Sequence, residues 1–227
     1  MTRIGPELTQ RMIINQWVSF QDDFGVLNSF PRLRSIKEMP DLQRVKDLPL
    51  LGYVYVDHHA GISLKVEGFY LSAPETDPEI ETISKFVRDS VSLKFRFYII
   101  RMLDIHILDE HERNRLSLPV SPDGLRFYNS PELNVVRNNE SLDRYRAEGF
   151  FDDVFAIIPT KGILDDEIGG NTPEIVWVRL KSYSDSENFF KGILLNQPNQ
   201  GSGLNKNDDV MLFPIQYNGE MILQVGK

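Results

Sequence analysis

Two groups of histidine and carboxylate side chains are the first candidates for chemistry in this sequence. His58 and His59 are adjacent in a segment typical of a turn, where an extended backbone points them in opposite directions, so one metal ion could not bind both. The segment 104–113 holds His106 and His111 among several carboxylates, which are ligands for first-row metals. These histidines are five residues apart, whereas the helical zinc motif needs them four apart with an intervening glutamate. We therefore predict no metal site.

Three acidic clusters lie beside predicted turns. They are Asp152 with Asp153, Asp165 with Asp166 and Glu167, and Asp208 with Asp209. Paired carboxylates act as general acid and base when their environments separate their pKa values. Carboxylates beside turns are normally solvated, however. We therefore predict that these seven residues form an acidic surface for a protein partner, and we assign no catalytic residue.

The familiar signatures of cofactor and nucleophile chemistry are missing from the sequence. The segment GSGLNKND lacks the lysine followed by serine or threonine that a phosphate loop requires. No serine stands in a G-x-S-x-G context, the usual setting of a hydrolase nucleophile. The chain has no cysteine, which excludes disulfides, thiolate nucleophiles and cysteine-bound metals. We predict no cofactor.

Charge and hydropathy limit the classes of partner. The formal net charge of −8 repels phosphate backbones, and no basic stripe with interleaved aromatic residues offsets it, so we expect no nucleic acid. The N-terminal sequence lacks the apolar core and cleavage site of a secretory signal, and no run of apolar residues is long enough to span a membrane. We predict a cytoplasmic protein without membrane contact. A negative field can steer a basic protein partner.

Alternating residues predict a hairpin in the N-terminal half. The run LLGYVYV is rich in β-branched and aromatic residues, DHHAG is typical of a turn, and Ile62, Leu64 and Val66 alternate with polar residues. Gly68 lies inside the second strand and predicts a bulge there.

A helix and two further strands are predicted after the hairpin. Thr76 and Glu79 have the spacing of a capping box, and the apolar residues between Ile80 and Val91 recur at helical spacing. The segment 93–102 then alternates apolar and polar residues, which predicts a strand, and the segment 125–128 predicts a short one. Hairpin, helix and strand form the skeleton of a predicted N-terminal α/β module.

The last part of the chain predicts β structure. A short helix in SLDRYRAEGF, stopped by Gly149, precedes the buried strand VFAII. Four apolar runs follow, EIVWVRLKSY, FFKGILLN, DVMLFPI and MILQV, at a spacing typical of a small antiparallel barrel or curled sheet. Pro214 is predicted to lie at an edge or bulge. The sequence therefore predicts an α+β protein with an N-terminal module over residues 1–135 and a β-rich module over residues 141–227.

The segments PEIVWVRL, KGILLNQP and NDDVMLFPI are similar to the bacterial YegJ-like domains of unknown function. Those domains have a tryptophan in a strand that begins with Pro-Glu, then a strand that begins with glycine and ends in Leu-Asn-x-Pro, then a tight turn before the next strand. The matching positions are Pro173, Glu174, Trp177, Gly192, Leu195, Asn196, Pro198, Asp208 and Val210. Asn207 stands where a glycine is usual. The resemblance covers only the C-terminal part of the chain, and we interpret Trp177 as a core anchor rather than a binding platform.

The resemblance implies a protein that binds and blocks a toxin, because relatives of such domains occur in bacterial toxin-immunity loci. With the acidic charge and the missing catalytic signatures, it favours a non-enzymatic binding protein, an immunity-type inhibitor whose acidic loops meet a basic toxin. Two alternatives stay open. One is a hydrolase-like enzyme with a site assembled from distant Asp, Glu and His residues. The other is a structural or regulatory subunit of an oligomer, for which an exposed apolar face on the 93–102 strand would be the clue; the sequence is compatible with a monomer or an oligomer.

Overall fold

The chain divides into two compact units, Met1–Asn129 and Ser130–Lys227. The computed structural model describes residues 9–21, 49–71, 79–82, 93–159, 173–199, 202–217 and 219–226, with the backbone alone for 69–71 and 79–82. An antiparallel sheet in one unit and a small barrel in the other, each accompanied by short helices, confirm the predicted α+β class. Helices that could cross a membrane are absent from these ranges.

In its described residues the first unit is built on a six-stranded antiparallel sheet. Its strands are β1 Trp17–Phe20, β2 Leu50–Asp57, β3 Gly61–Leu71, β4 Glu79–Thr82, β5 Lys94–Arg96 and β6 Ile105–Ile107. They lie in the order β4-β3-β2-β1-β6, and β5 also pairs with β3. Its helices are α1 Gln10–Ile13, α2 Phe97–Ile100, α3 Glu110–Arg115 and the 3₁₀ helix Asp123–Tyr128. Strand β2 is buried on both faces, which explains its nearly continuous apolar sequence.

The predicted hairpin is confirmed as the β2–β3 pair. Leu51 lies opposite Gly68 and Gly52 lies opposite Val66, so Glu67 is the extra residue of a bulge next to the predicted glycine. One face of the hairpin packs under the segment that follows β6. That cluster contains Trp17, Leu51, Tyr53, Tyr55, Leu108, Leu116 and Leu125.

Three predictions for the first unit are wrong in the described residues. Glu79–Thr82, predicted as the first turn of a helix, is strand β4 and pairs with residues 68–71 of β3, while the rest of that predicted helix lies outside the described residues. The predicted strand over 93–102 ends after three paired residues, and Phe97–Ile100 forms a helical turn. The predicted strand at 125–128 is part of the 3₁₀ helix. In each case the apolar pattern was short enough to suit either structure.

The second unit is a five-stranded barrel preceded by two short helices. The helices are α4 Pro131–Asn138 and the 3₁₀ helix Glu140–Tyr145; the strands are β7 Arg146–Ala147, β8 Phe150–Ile158, β9 Glu174–Ser184, β10 Phe189–Leu194, β11 Asp209–Tyr217 and β12 Glu220–Gly226. Strands β8 to β12 form an antiparallel meander, and a parallel pair between β12 and β8 closes the barrel. The four predicted C-terminal strands and the strand containing VFAII are confirmed.

The ends of these elements follow from individual residues. Helix α4 begins where the Ser130 hydroxyl accepts a hydrogen bond from the Leu133 amide, with Pro131 in the first turn. The helix lies in the second unit, so residues 131–135 belong to that unit rather than to the first module. The helix predicted to end at Gly149 ends at Tyr145. Pro214 pairs with β12 beyond the residues that β10 covers, which meets the prediction of an edge position. Asn207 has a φ of 74°, a conformation that glycine and asparagine adopt most readily.

Candidate functional site

Asp152 lies inside the second unit and is paired with an arginine of helix α4. Its side chain accepts two hydrogen bonds from Arg137, at 2.8 Å from Nε to Oδ1 and 2.6 Å from Nη2 to Oδ2. Both residues are only 3% exposed. This bidentate contact ties α4 to strand β8, and it occupies the carboxylate that the sequence predicted to meet a partner.

Asp153 forms a second bidentate pair, with Arg179 of the neighbouring strand β9. The two residues lie directly opposite each other, and the distances are 2.7 Å from Nε to Oδ1 and 2.8 Å from Nη2 to Oδ2. Asp153 is 7% exposed. The predicted acidic surface is therefore wrong for Asp152 and Asp153, because both are buried and neutralised within the unit. Each carboxylate uses both of its oxygens in the contact with its arginine.

The remaining acidic residues of the prediction have different surroundings. Asp209 is exposed and pairs with Lys181 at 2.9 Å, and the Asp208 carboxylate accepts the Asn205 amide at 2.8 Å. These two stay candidates for an acidic contact. The cluster 165–167 lies outside the described residues.

The segment 104–113, which contains His106 and His111, has a structural role within the described residues. Asp109 and Glu112 form a reciprocal capping box at the start of α3, and Glu112 also contacts His106 Nε2 at 2.9 Å. His111 lies on the exposed side of that helix. Within the described ranges no three residues of the types His, Cys, Asp and Glu converge as metal ligands.

The hairpin turn of the first unit holds a carboxyl group, Asp57, whose pKa is shifted by its surroundings. Asp57 Oδ1 accepts the amides of His59 and Ala60 at 2.9 and 3.1 Å, and Oδ2 accepts the Tyr128 hydroxyl at 3.2 Å. Burial opposes ionisation of Asp57, but these hydrogen bonds and Lys94 outweigh it and lower the pKa of the carboxyl. With both oxygens engaged, Asp57 fixes the turn instead of acting as a base.

Tyr55 lies beside this turn, and no described residue gives its buried hydroxyl a well-formed hydrogen bond. Ser63, its partner across the ladder, donates to the Gly61 carbonyl at 3.1 Å and accepts from Arg96 at 3.2 Å. Burial, reinforced by the charge of Asp57, raises the pKa of Tyr55 to about 12. The Tyr55 phenol is therefore harder to ionise than that of an ordinary tyrosine.

An apolar strip on the outside of the barrel is the feature that sequence reasoning missed. It consists of two cross-strand pairs, Phe155 with Trp177 and Ile157 with Ile175, on the outward face of β8 and β9. Ile175 is 62% and Trp177 is 39% exposed, whereas Val176 next to them is buried. The prediction of Trp177 as a core anchor is therefore wrong. The alternation in PEIVWVRL was the available signal, but both of its faces are apolar.

Aromatic contacts hold the strip in place. The Phe155 ring meets Trp177 edge to face, with centroids 6.2 Å apart, and it also meets the Tyr145 ring, with centroids 5.0 Å apart. The Trp177 backbone is fixed as well, since its amide donates to Asn196 Oδ1 at 2.7 Å and its carbonyl accepts the Leu195 amide. The strip is thus a surface on a rigid strand.

Two ion pairs border the strip. Asp153 and Arg179 follow Phe155 and Trp177 in the β8–β9 ladder, and Lys181 with Asp209 comes next along β9. Comparison of the chain with family models, with curated proteins and with solved structures gave no match. The candidate site is therefore defined by this geometry.

Proposed function

We propose that this chain is a non-enzymatic protein-binding protein and that the apolar strip is the surface that contacts its partner. The observation that carries the proposal is the exposure of Ile175 and Trp177, adjacent on the outward face of one strand. Single exposed apolar residues are ordinary on protein surfaces. Two cross-strand pairs form a contiguous surface, and tryptophan is among the residues that most often dominate binding energy.

The surroundings of the strip support a protein partner. Stable interfaces have an apolar centre and a polar rim, and here the rim is formed by ion pairs that are already satisfied within the barrel. A partner covering the strip would desolvate the tryptophan ring without burying an unpaired rim charge. The net charge of −8 favours a basic partner through the rate of encounter.

The narrower hypothesis names the partner as a toxin and this chain as its immunity-type inhibitor. Its support is the resemblance of the C-terminal segments to the YegJ-like domains and the acidic charge. The strip changes the expected mechanism, because affinity would come from apolar contact while charge would set the association rate.

The test compares three forms of the full chain as bait in lysate of the source organism, with mass spectrometry of what is retained. The strip variant carries Ile175→Thr and Trp177→Thr, replacements that suit a strand. The matched control carries Tyr217→Thr, an exposed aromatic residue of strand β11, which does not pair with β8 or β9. We expect one stoichiometric protein to be retained by the wild type and by Tyr217→Thr and to be lost with the strip variant.

Other outcomes would contradict the proposal in distinct ways. A partner that the strip variant retains at wild-type level would place the interface elsewhere. A wild-type chain that doubles its mass in solution, while the strip variant stays monomeric, would make a second copy the occupant of the strip and favour the oligomer alternative. Absence of any stoichiometric protein among those that the wild type retains would count against protein binding.

A further inference from the structure

A cleft at one end of the barrel is separate from the apolar strip. It has a volume of about 300 Å³, at the lower end of the range for small-molecule sites. The residues that line it come from the second unit alone: Asn139, Ser141, Tyr183, Asn188, Phe190, Pro214, Ile215, Gln216 and Met221. The 3₁₀ helix after α4 forms one wall, and the turn between β9 and β10 forms another.

The lining chemistry selects against charged ligands. Of the described residues that form the cleft, none is Asp, Glu, Lys, Arg or His. A charged ligand would lose hydration there without gaining a counter-charge, which is unfavourable. A neutral ligand pays no such penalty.

The polar groups of the cleft are amides and hydroxyls with unused hydrogen-bonding capacity. Asn139 Oδ1 accepts both the amide and the hydroxyl of Ser141, at 3.1 and 2.6 Å. A backbone amide can only donate, so this contact identifies the Asn139 oxygen, and no hydrogen bond among the described residues uses the Asn139 Nδ2 donors. The Tyr183 hydroxyl donates to Asn188 Oδ1 at 3.0 Å, and no described hydrogen bond uses the Asn188 Nδ2 donors either.

Apolar surface lies beside these amides. The Tyr183 and Phe190 rings pack against each other with centroids 4.7 Å apart, and Tyr183 stays partly exposed. A ligand that suits both parts has hydroxyl groups, each of which donates and accepts, and a C–H face that packs on an aromatic ring.

We propose that this cleft binds a neutral sugar of monosaccharide size. Asn139 and Asn188 donate to the sugar hydroxyls, and the partly exposed Tyr183 ring receives its apolar face. The site is open, and its polar groups are hydrated when empty, so binding is weak and selective for uncharged rings.

The test uses saturation-transfer NMR on the full chain with a panel of neutral hexoses and N-acetylhexosamines. The site variant is Asn188→Gly, because residue 188 has a φ of 52° that glycine adopts without strain. The matched control is Asn207→Gly, another left-handed asparagine of the same unit, away from the cleft. Loss of about one or two hydrogen bonds predicts affinity about tenfold weaker for Asn188→Gly and unchanged for Asn207→Gly.

Three results would overturn the proposal. One is absence of transfer to every neutral sugar at millimolar concentration in a folded wild type. Another is equal affinity of wild type and Asn188→Gly. The third is stronger transfer to glucuronate, measured beside the panel as a charged sugar, than to every neutral sugar, which would assign the cleft to a different ligand class.

Discussion

The buried pair between Arg137 and Asp152 makes a sharp prediction about stability. Asp152→Ala leaves the guanidinium buried with its counter-ion removed, and breaking a buried pair from one side costs about 3–5 kcal/mol. With a urea m-value of about 2 kcal/mol/M for a small unit, the unfolding midpoint should fall by about 2 M. The exposed pair of Asp209 and Lys181 provides the control, and Asp209→Ala should lower stability by less than about 1 kcal/mol.

The assay is urea unfolding followed by tryptophan fluorescence. Each unit contains one of the two tryptophans, Trp17 in the first and Trp177 in the second, so a Trp17→Phe background reports on the second unit alone. The double variant Arg137→Met with Asp152→Leu should regain most of the loss, since apolar groups of similar volume often replace a buried ion pair without destabilisation.

Two results would refute this reasoning. If Asp152→Ala shifted the midpoint no more than Asp209→Ala, the pair would not hold α4 on the barrel. If the double variant were as unstable as Asp152→Ala, the loss would come from packing and not from the uncompensated charge of Arg137.

Three further predictions concern other contacts. Arg146→Lys should destabilise the second unit by about 1–3 kcal/mol in urea unfolding. The guanidinium of Arg146 donates to the Val136 and Phe151 carbonyls, and lysine lacks the planar group that makes both bonds. An unchanged unfolding midpoint would contradict this prediction. Tyr55 has a raised pKa, so its contribution to the free energy of unfolding is complete below pH 10 and is lost as the pH rises toward 12, by about 1.4 kcal/mol per pH unit. Tyr55→Phe should therefore make the stability of the first unit fall less steeply with pH over this range. Equal slopes of stability against pH in the wild type and the variant would refute the prediction. Gly192→Ala should lower the thermal midpoint of the second unit, since the added Cβ would lie 2.5 Å from Val178 Cγ1. A midpoint equal to that of the wild type would contradict this, because it would show that the two strands can move apart without loss of stability.

Elements whose pattern is local could be predicted from the sequence. The β2–β3 hairpin carries its alternation, its turn and its bulge glycine within one continuous stretch, and the C-terminal strands are each bounded by polar loops. Glu79–Thr82 could not be assigned in this way. Glu79 completes a capping-box spacing with Thr76 in the sequence, but pairing with β3 supplies hydrogen bonds that an isolated helical turn lacks.

The surroundings of the acidic residues depend on contacts that are distant in sequence. Two adjacent carboxylates such as Asp152 and Asp153 are typical of a solvated turn, yet both residues lie within strand β8. Alternation sends them to opposite faces, where one meets Arg137 of α4 and the other meets Arg179 of β9. The spacing of these four residues in the sequence does not indicate that they form pairs. An acidic surface was therefore predicted where buried ion pairs occur.

The outward position of Trp177 follows from alternation along β9. Val176, Val178 and Leu180 belong to the buried core cluster of the second unit. Successive side chains of a strand point to opposite faces, so the β9 register that places these three residues inside places Ile175 and Trp177 outside. Their exposure is therefore tolerated by the fold and not required by it. Replacing both with threonine should leave the barrel stable, so a loss of binding by that variant would report on the strip itself and not on unfolding.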